Sequence, residues 1–200
     1  MLSMLDLERF RTTPLSREPF EFLVVPEFVR VEARAAIDKD YPEVGRAGSF
    51  PLREVTYGPG FAKLIDQMRS EEFRKAFEEK FNVDLTNRPD MITVRGRCSE
   101  KDGKIHTDSE TKIITILVYM NSAWESPGGQ LRLLRSGTNL EDIILEVPPT
   151  EGTLLAFRAA ITRGMVTNHS MARAASFSST GSRVRRWCGA SKIGIGFPRG

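Results

Sequence analysis

The sequence predicts an α+β, mainly β fold in which N-terminal helices pack on an antiparallel β structure. From Asp90 onward, short strand-like segments alternate with turn signals such as Asp102-Gly103 and Pro127-Gly128-Gly129. Strands in direct succession, without intervening helices, favour an antiparallel sandwich or barrel over βαβ units. Helices first and strands later is the order expected of a jelly roll with N-terminal helices. The predicted strands span residues 91–97, 104–108, 112–121, 130–135, 143–147 and 153–157.

The N-terminal part contains one predicted strand and a set of predicted helices. Residues 20–25 combine alternation with β-branched residues and predict a strand, whereas residues 31–39 predict a helix that ends near Pro42. Apolar residues at helical spacing predict two further helices, with Ser70 as the N-cap of the second. A phenylalanine stripe of this kind is more typical of packing against a sheet than of a ligand groove. The stripe comprises Phe73, Phe77 and Phe81.

The length and composition are those of one globular domain. The chain has 200 residues and is 40% hydrophobic, enough to bury a sizeable core. No apolar run reaches the ~18 residues of a membrane span, and the first residues lack a basic-then-apolar signal peptide. Cys98 and Cys188 form neither a metal-ligand spacing nor a disulfide framework. We therefore expect a cytoplasmic protein.

The net charge of +3 conceals an asymmetry along the chain. Residues 158–200 hold 8 basic and no acidic residues, and the last acidic residue is Glu151. A basic tail of this kind can be an arm that binds nucleic acid or an anionic surface. A change of reading frame, argued below, is the other explanation.

His106 and Asp108 form the candidate metal-binding pair. They are two residues apart on a predicted strand, so both side chains leave the same face and can converge on one ion. An imidazole and a carboxylate suit a divalent first-row metal, and one more histidine would complete a facial triad. A His-x-Asp pair by itself also occurs among solvated surface residues.

The motifs around this pair resemble the Fe(II)/2-oxoglutarate-dependent oxygenases, specifically the prolyl-4-hydroxylase-like branch. The resemblance covers roughly residues 90–157. It rests on several motifs in the family's order rather than on any single one. They are Arg95-Gly96-Arg97, Lys101 to Asp108, Ile116 to Trp124 and Gly128 to Leu133.

The resemblance implies a fold, a chemistry and roles for individual residues. The fold is a double-stranded β-helix, and His106 and Asp108 are two of three iron ligands. Tyr119 matches the tyrosine that hydrogen-bonds the distal carboxylate of 2-oxoglutarate, and Thr115 and Leu117 share its face and line the same pocket. The implied cofactors are Fe(II) and the co-substrate 2-oxoglutarate, with ascorbate as an accessory reductant. The implied reaction is hydroxylation of a protein, such as a prolyl residue, or of a small molecule.

Beyond Arg158 the sequence departs from the family pattern. That pattern has a distal Trp-His-x-His segment with the third iron ligand, then an arginine about nine residues later that anchors 2-oxoglutarate by a bidentate contact. If each codon is rebuilt from the third base of one codon and the first two bases of the next, residues 160–182 can encode Trp-His-Gly-His followed by Arg-Arg. Two positions are forced to glycine, because methionine has a single codon: Met165-Val166 and Met171-Ala172. We therefore hypothesise a single-base insertion or deletion near codon 158.

A frameshift has consequences for the site and for the tail. His169 lies about four positions beyond the expected ligand. It is a weak candidate for the third ligand, because a frameshift makes its position accidental. The iron site is then incomplete and activity impaired, and the C-terminal strands are expected to be missing or disordered. The predicted organisation is residues 1–89 as supporting elements, 90–157 as the β-helix core and 158–200 as an out-of-frame tail.

A second function stays open at this stage. The chain could be a non-catalytic jelly-roll binding module whose basic tail contacts nucleic acid or an anionic partner. The tail lacks interleaved aromatic residues and a recognisable nucleic-acid fold, so nucleic acid is not the expected partner. No membrane partner is expected.

Overall fold

The computed structural model describes most of the chain outside the C-terminal segment. The described residues are 3–45, 48–95, 105–106, 112–121, 130–135, 139, 141–158, 165–168 and 192–198, and for 105–106, 165–168 and 192–198 the description is of the backbone.

Four α-helices lie in the N-terminal part. The first is capped by Asp6, whose carboxylate accepts a hydrogen bond from the Arg9 amide at 3.0 Å. The fourth begins after Ser70, whose hydroxyl accepts from the Phe73 amide at 3.2 Å, so the predicted N-cap is confirmed. The helices are α1 (Leu7–Thr12), α2 (Val31–Lys39), α3 (Pro59–Met68) and α4 (Glu71–Phe81), and a short 3-10 helix spans Leu52–Glu54.

Ten strands are described. The six predicted after Asp90 are confirmed, with ends that differ by up to two residues. The strands are β1 (Phe22–Val25), β2 (Phe50–Pro51), β3 (Met91–Arg95), β4 (Ile105–His106), β5 (Lys112–Tyr119), β6 (Leu131–Leu134), β7 (Ile143–Val147), β8 (Leu154–Arg158), β9 (Met165–Asn168) and β10 (Lys192–Pro198).

The strands form two antiparallel sheets. The larger has six strands in the order β1-β8-β5-β10-β3-β2, and the smaller has four in the order β4-β9-β6-β7. Every described ladder in both sheets is antiparallel. The prediction of helices combined with antiparallel sheets is therefore confirmed.

The six-stranded sheet separates two hydrophobic clusters. Alternate residues of β5, namely Ile114, Ile116 and Val118, join the helical residues Phe61 and Phe77 in the larger cluster. The intervening residues Leu117 and Tyr119 belong to a second cluster, shared with β6 and β7 of the four-stranded sheet. We call the side of each sheet that meets this second cluster the inner face. Because side chains alternate along a β-strand, residues of the larger sheet lie in turn on the helix side and on the inner face.

The C-terminal segment contributes β9 and β10, which corrects the expectation that strands are missing there. Backbone pairing joins β10 to both β3 and β5, and joins β9 to β4 and β6. The period-2 pattern Ile193, Ile195 and Phe197 is typical of a strand, but the composition of the whole tail obscured it. Glycines at 194 and 196 further lower its intrinsic strand propensity.

The helices of the described residues are all too short or too polar to cross a bilayer.

Candidate functional site

The three pocket residues predicted on β5 lie on its inner face. Thr115, Leu117 and Tyr119 are 6%, 8% and 1% exposed, respectively. Leu117 and Tyr119 both belong to the inner cluster. The three alternate along β5, which places them on one face of the strand, and their roles in binding stay predictions.

The inner cluster encloses these residues from both sheets. Phe22 of β1 is opposite Phe157 of β8, which is in turn opposite Thr115. Phe20 lies beside Phe22, with ring centroids 5.5 Å apart. The four-stranded sheet closes the cluster from the other side with Leu131, Leu133 and Val147. The surroundings of Thr115 and Tyr119 are therefore largely apolar, which strengthens any electrostatic contact made there.

The register of the four-stranded sheet assigns His106 to the inner face. His106 is opposite Val166 of β9, and Val166 is opposite Leu133 of β6. Directly opposed residues of antiparallel strands share a face, and Leu133 is a member of the inner cluster. The register therefore places position 106 on the face of the smaller sheet that belongs to the inner cluster. Asp108 and His169 lie outside the described residues.

Strand β9 carries no residue that could be the third metal ligand. Its residues are Met165, Val166, Thr167 and Asn168, which include neither an imidazole nor a carboxylate. Within the described ranges, no three His, Cys, Asp or Glu side chains come together.

A row of cationic and hydroxyl-bearing positions crosses the inner face of the larger sheet. Lys192 of β10 is directly opposite Tyr119 on one side and Arg95 on the other. Opposed residues share a face, so Lys192 occupies an inner-face position beside Tyr119. Arg95 agrees with this assignment, because its neighbours on β3, Ile92 and Val94, belong to the helix-side cluster.

The next inner-face positions of β10 are glycines. Gly194 is opposite Leu117, and Gly196 is opposite Thr115. A glycine contributes no side chain, so β10 adds no bulk to the inner face opposite these two predicted pocket residues. The inner face of β10 thus presents one cationic position followed by two glycines.

The sequence did not single out Lys192, Phe20 or Phe22 as neighbours of the predicted pocket residues. The sequence places the two phenylalanines on a predicted strand, and their alternation is the signal that they share a face. The position of Lys192 opposite Tyr119 could not be predicted, because it depends on the register between two strands that are far apart in the sequence.

The residues present fit the implied co-substrate better than the implied metal. A dicarboxylate needs a cation and a hydroxyl donor side by side, and the register of Lys192 and Tyr119 supplies both. A facial iron site needs three protein ligands. The sequence offers His106 and Asp108, and β9 supplies no third ligand.

Comparison with known proteins supports the fold. No family model and no curated protein matches the sequence. A prolyl-4-hydroxylase structure from Pseudomonas putida aligns over 97% of both chains, with a TM-score of 0.55 and 13% sequence identity. A prolyl 4-hydroxylase structure from Phytophthora capsici aligns over 100% of this chain and 67% of its own, with a TM-score of 0.58 and 13% identity. The predicted resemblance is confirmed at the level of the fold.

Proposed function

We propose that this chain is a double-stranded β-helix of the Fe(II)/2-oxoglutarate oxygenase type that binds the co-substrate but holds iron through an incomplete ligand set. The opposition of Lys192 and Tyr119 on the inner face, next to the glycine positions 194 and 196, is the observation that carries the proposal. The likeness to two prolyl-4-hydroxylase structures supports the barrel type.

Each residue of the row has a distinct part in binding the co-substrate. The Lys192 ammonium neutralises the distal carboxylate, and the Tyr119 hydroxyl donates a hydrogen bond to it. Leu117 and the aromatic residues of the inner cluster exclude water, which strengthens both contacts. Arg95 adds positive potential at the same end of the sheet.

His106 and Asp108 would hold the metal. Bound Fe(II) would supply activation of oxygen and oxidative decarboxylation of 2-oxoglutarate, coupled to hydroxylation of a substrate C–H bond. With Val166 opposite His106 instead of a ligand, the chain binds metal weakly and turns over slowly. Both solved structures described above are of prolyl-4-hydroxylases, so the proposed substrate is a prolyl residue of a protein.

Removal of the Lys192 charge tests co-substrate binding directly. We expect Lys192→Met to weaken 2-oxoglutarate binding about tenfold in calorimetry with Mn²⁺ present, since one charge-assisted hydrogen bond is lost. Lys192→Arg should retain most of the affinity. Lys75→Met, an exposed position on α4, is the control for loss of one positive charge. Unchanged affinity in Lys192→Met would contradict the assigned anchor.

Insertion of a histidine opposite His106 tests the incomplete metal site. We expect Val166→His to tighten Co²⁺ binding by at least about tenfold, because it adds a third ligand to His106 and Asp108. Thr167→His is the matched control, since it adds the same group one position along the strand, on the opposite face. The absorption spectrum of bound Co²⁺ reports the ligand set without any turnover. Equal binding by the two variants would contradict the proposed metal position.

A further inference from the structure

A cleft of about 690 Å³ lies at the edge of the six-stranded sheet where β2 is the last strand. It is lined by the end of α2, the segment that follows α2, β2 and the segment before α3. None of the described lining residues belongs to the inner cluster, so the cleft is separate from the predicted co-substrate pocket. A volume of this size is typical of a site for a small molecule.

Aromatic side chains form part of the cleft wall, namely Tyr41, Phe50 and Tyr57. The Tyr41 ring packs edge-on against Phe61 with the ring centroids 5.1 Å apart, and the Tyr57 ring packs against the same ring at 5.2 Å. Phe61 is fully buried in the helix-side cluster. The Tyr41 hydroxyl also donates to the Arg95 carbonyl oxygen at 3.4 Å. Both tyrosine rings are therefore held in place by the core before any ligand binds.

Asp40 joins the two segments that carry these tyrosines. Its Oδ2 accepts a hydrogen bond from the Gly60 amide at 2.6 Å, and its carbonyl oxygen accepts from the Gly58 amide at 3.0 Å. Tyr41 directly follows Asp40, and Tyr57 directly precedes Gly58. The two hydrogen bonds therefore fix the separation of the tyrosine backbones, and the cleft is bordered by segments anchored to each other.

The charge of the cleft favours a cation. Among the described lining residues the acids Asp40, Glu43 and Glu54 outnumber the base, Lys39. The Glu54 side chain is exposed, and its carboxylate forms no ion pair or hydrogen bond with the part of the chain that the structure describes. Excess carboxylate charge in a concave site attracts cations and repels anions. The aromatic wall favours the same sign of charge, because the ring quadrupole attracts cations.

We propose that this cleft binds a small organic cation of the guanidinium class. A guanidinium is planar, so it stacks on an aromatic ring such as Tyr57 while its N–H groups donate to a carboxylate such as Glu54. Val44 and Val55 of the lining supply apolar surface for a short alkyl chain. A peptide is the poorer ligand, because β2 has only two residues and Pro51 has no N–H to pair with an added strand.

Calorimetric titration with n-butylguanidinium tests the proposal, with n-butylurea as the uncharged probe of the same shape. We expect butylguanidinium to bind at least about tenfold more tightly than butylurea, because only the guanidinium carries the charge. Glu54→Gln should weaken the binding of butylguanidinium several-fold. Glu79→Gln, at an exposed position of α4, is the control for loss of one negative charge and should leave the affinity unchanged. Equal affinities for the two probes would overturn the proposal.

Substitution of Tyr57 tests the aromatic contact. We expect Tyr57→Leu to weaken the binding of butylguanidinium several-fold, and Tyr57→Phe to retain it, because phenylalanine keeps the aromatic face. Thermal unfolding of each variant identifies any loss of the fold, and the exposed Glu54→Gln provides the test if Tyr57→Leu does not fold. Unchanged affinity in a folded Tyr57→Leu would contradict stacking on this ring.

Amide chemical shifts locate the bound cation. We expect butylguanidinium to shift the amide signals of residues 39–41 and 54–58 and to leave those of Leu117 and Tyr119 unchanged. Shifts confined to the inner cluster would overturn the assigned position. Binding of the peptide acetyl-Gly-Arg-Gly-amide more than about tenfold tighter than butylguanidinium would overturn the small cation as the ligand. Because these measurements need neither metal nor 2-oxoglutarate, their outcome is independent of the proposed function.

Discussion

The backbone of Gly152 joins the turn before β8 to Val29, which precedes α2, and to Tyr119 at the end of β5. Its φ of +81° lies in the left-handed region, and an added Cβ would meet the Val29 carbonyl oxygen at 2.8 Å as well as the guanidinium of Arg34. An L side chain at this position is therefore strained by its backbone conformation and also lacks space.

We expect Gly152→Ala to lower the free energy of unfolding by about 2 kcal/mol or more, measured by urea denaturation. Gly45→Ala is the matched control, since a Cβ there meets nothing within 4 Å. A loss in Gly152→Ala no larger than in Gly45→Ala would contradict the close contact described for this turn.

The site residues divide into those that local sequence could predict and those that it could not. Thr115, Leu117 and Tyr119 follow from one strand and its period of two, so their shared face was predictable. Lys192 and Tyr119 are opposed only through sheet register, and Val29 and Gly152 are joined only through tertiary packing. Contacts of this second kind depend on where distant elements dock, which periodicity does not encode.

At the scale of elements, α4 is held by a run of stacked aromatic rings. Phe77 stacks on Phe10 of α1 at a centroid distance of 4.3 Å, and on Phe73 at 4.6 Å. All three rings are fully buried. The prediction that the phenylalanine stripe packs in the core, without lining a ligand groove, is thus consistent with the larger cluster that contains it.

We expect Phe77→Ala to destabilise the fold by about 3–5 kcal/mol, because it removes a large buried ring and leaves a cavity between α1 and α4. Glu79→Ala, at an exposed position of the same helix, should change stability by less than about 0.5 kcal/mol. The midpoints of denaturant unfolding curves measure both. A small effect of Phe77→Ala would mean that the stacked rings contribute little to the attachment of α4.

Strand β10 is the element on which sequence and structure differ most. Local alternation in Lys192–Pro198 indicated a strand, while the composition of residues 158–200 indicated a tail without structure. The structure has a strand here because β10 lies between β3 and β5. The backbone groups of those two strands need hydrogen-bond partners, and β10 supplies them on both sides.

We expect truncation after Ser191 to destabilise the chain and to cause aggregation, because the facing edges of β3 and β5 lose their partner. Truncation after Pro198, which removes only the last two residues, is the control. Thermal unfolding and light scattering follow the two effects. An unchanged melting temperature in the shorter chain would show that β10 contributes nothing to the sheet and that the tail is dispensable.

For the molecule as a whole, the reading frame of the gene stays a prediction. We expect the nucleotide sequence near codon 158 to reveal a one-base insertion or deletion, whose correction encodes the Trp-His-Gly-His segment. An intact open frame through Gly200 that cannot encode this peptide would refute the frameshift. The corrected chain would carry a third iron ligand, and its Fe(II) affinity compared with that of the present chain gives a second, independent measurement.

The central position of β10 also determines the order in which the fold can assemble. Its partners β3 and β5 precede it by long stretches of chain, so these ladders form only after large loops have closed. The helices and the β5–β8 pairing depend on shorter separations and can form earlier. Folding should therefore pass through a species in which the larger sheet is still divided in two, with its final rate set by the arrival of a single late strand.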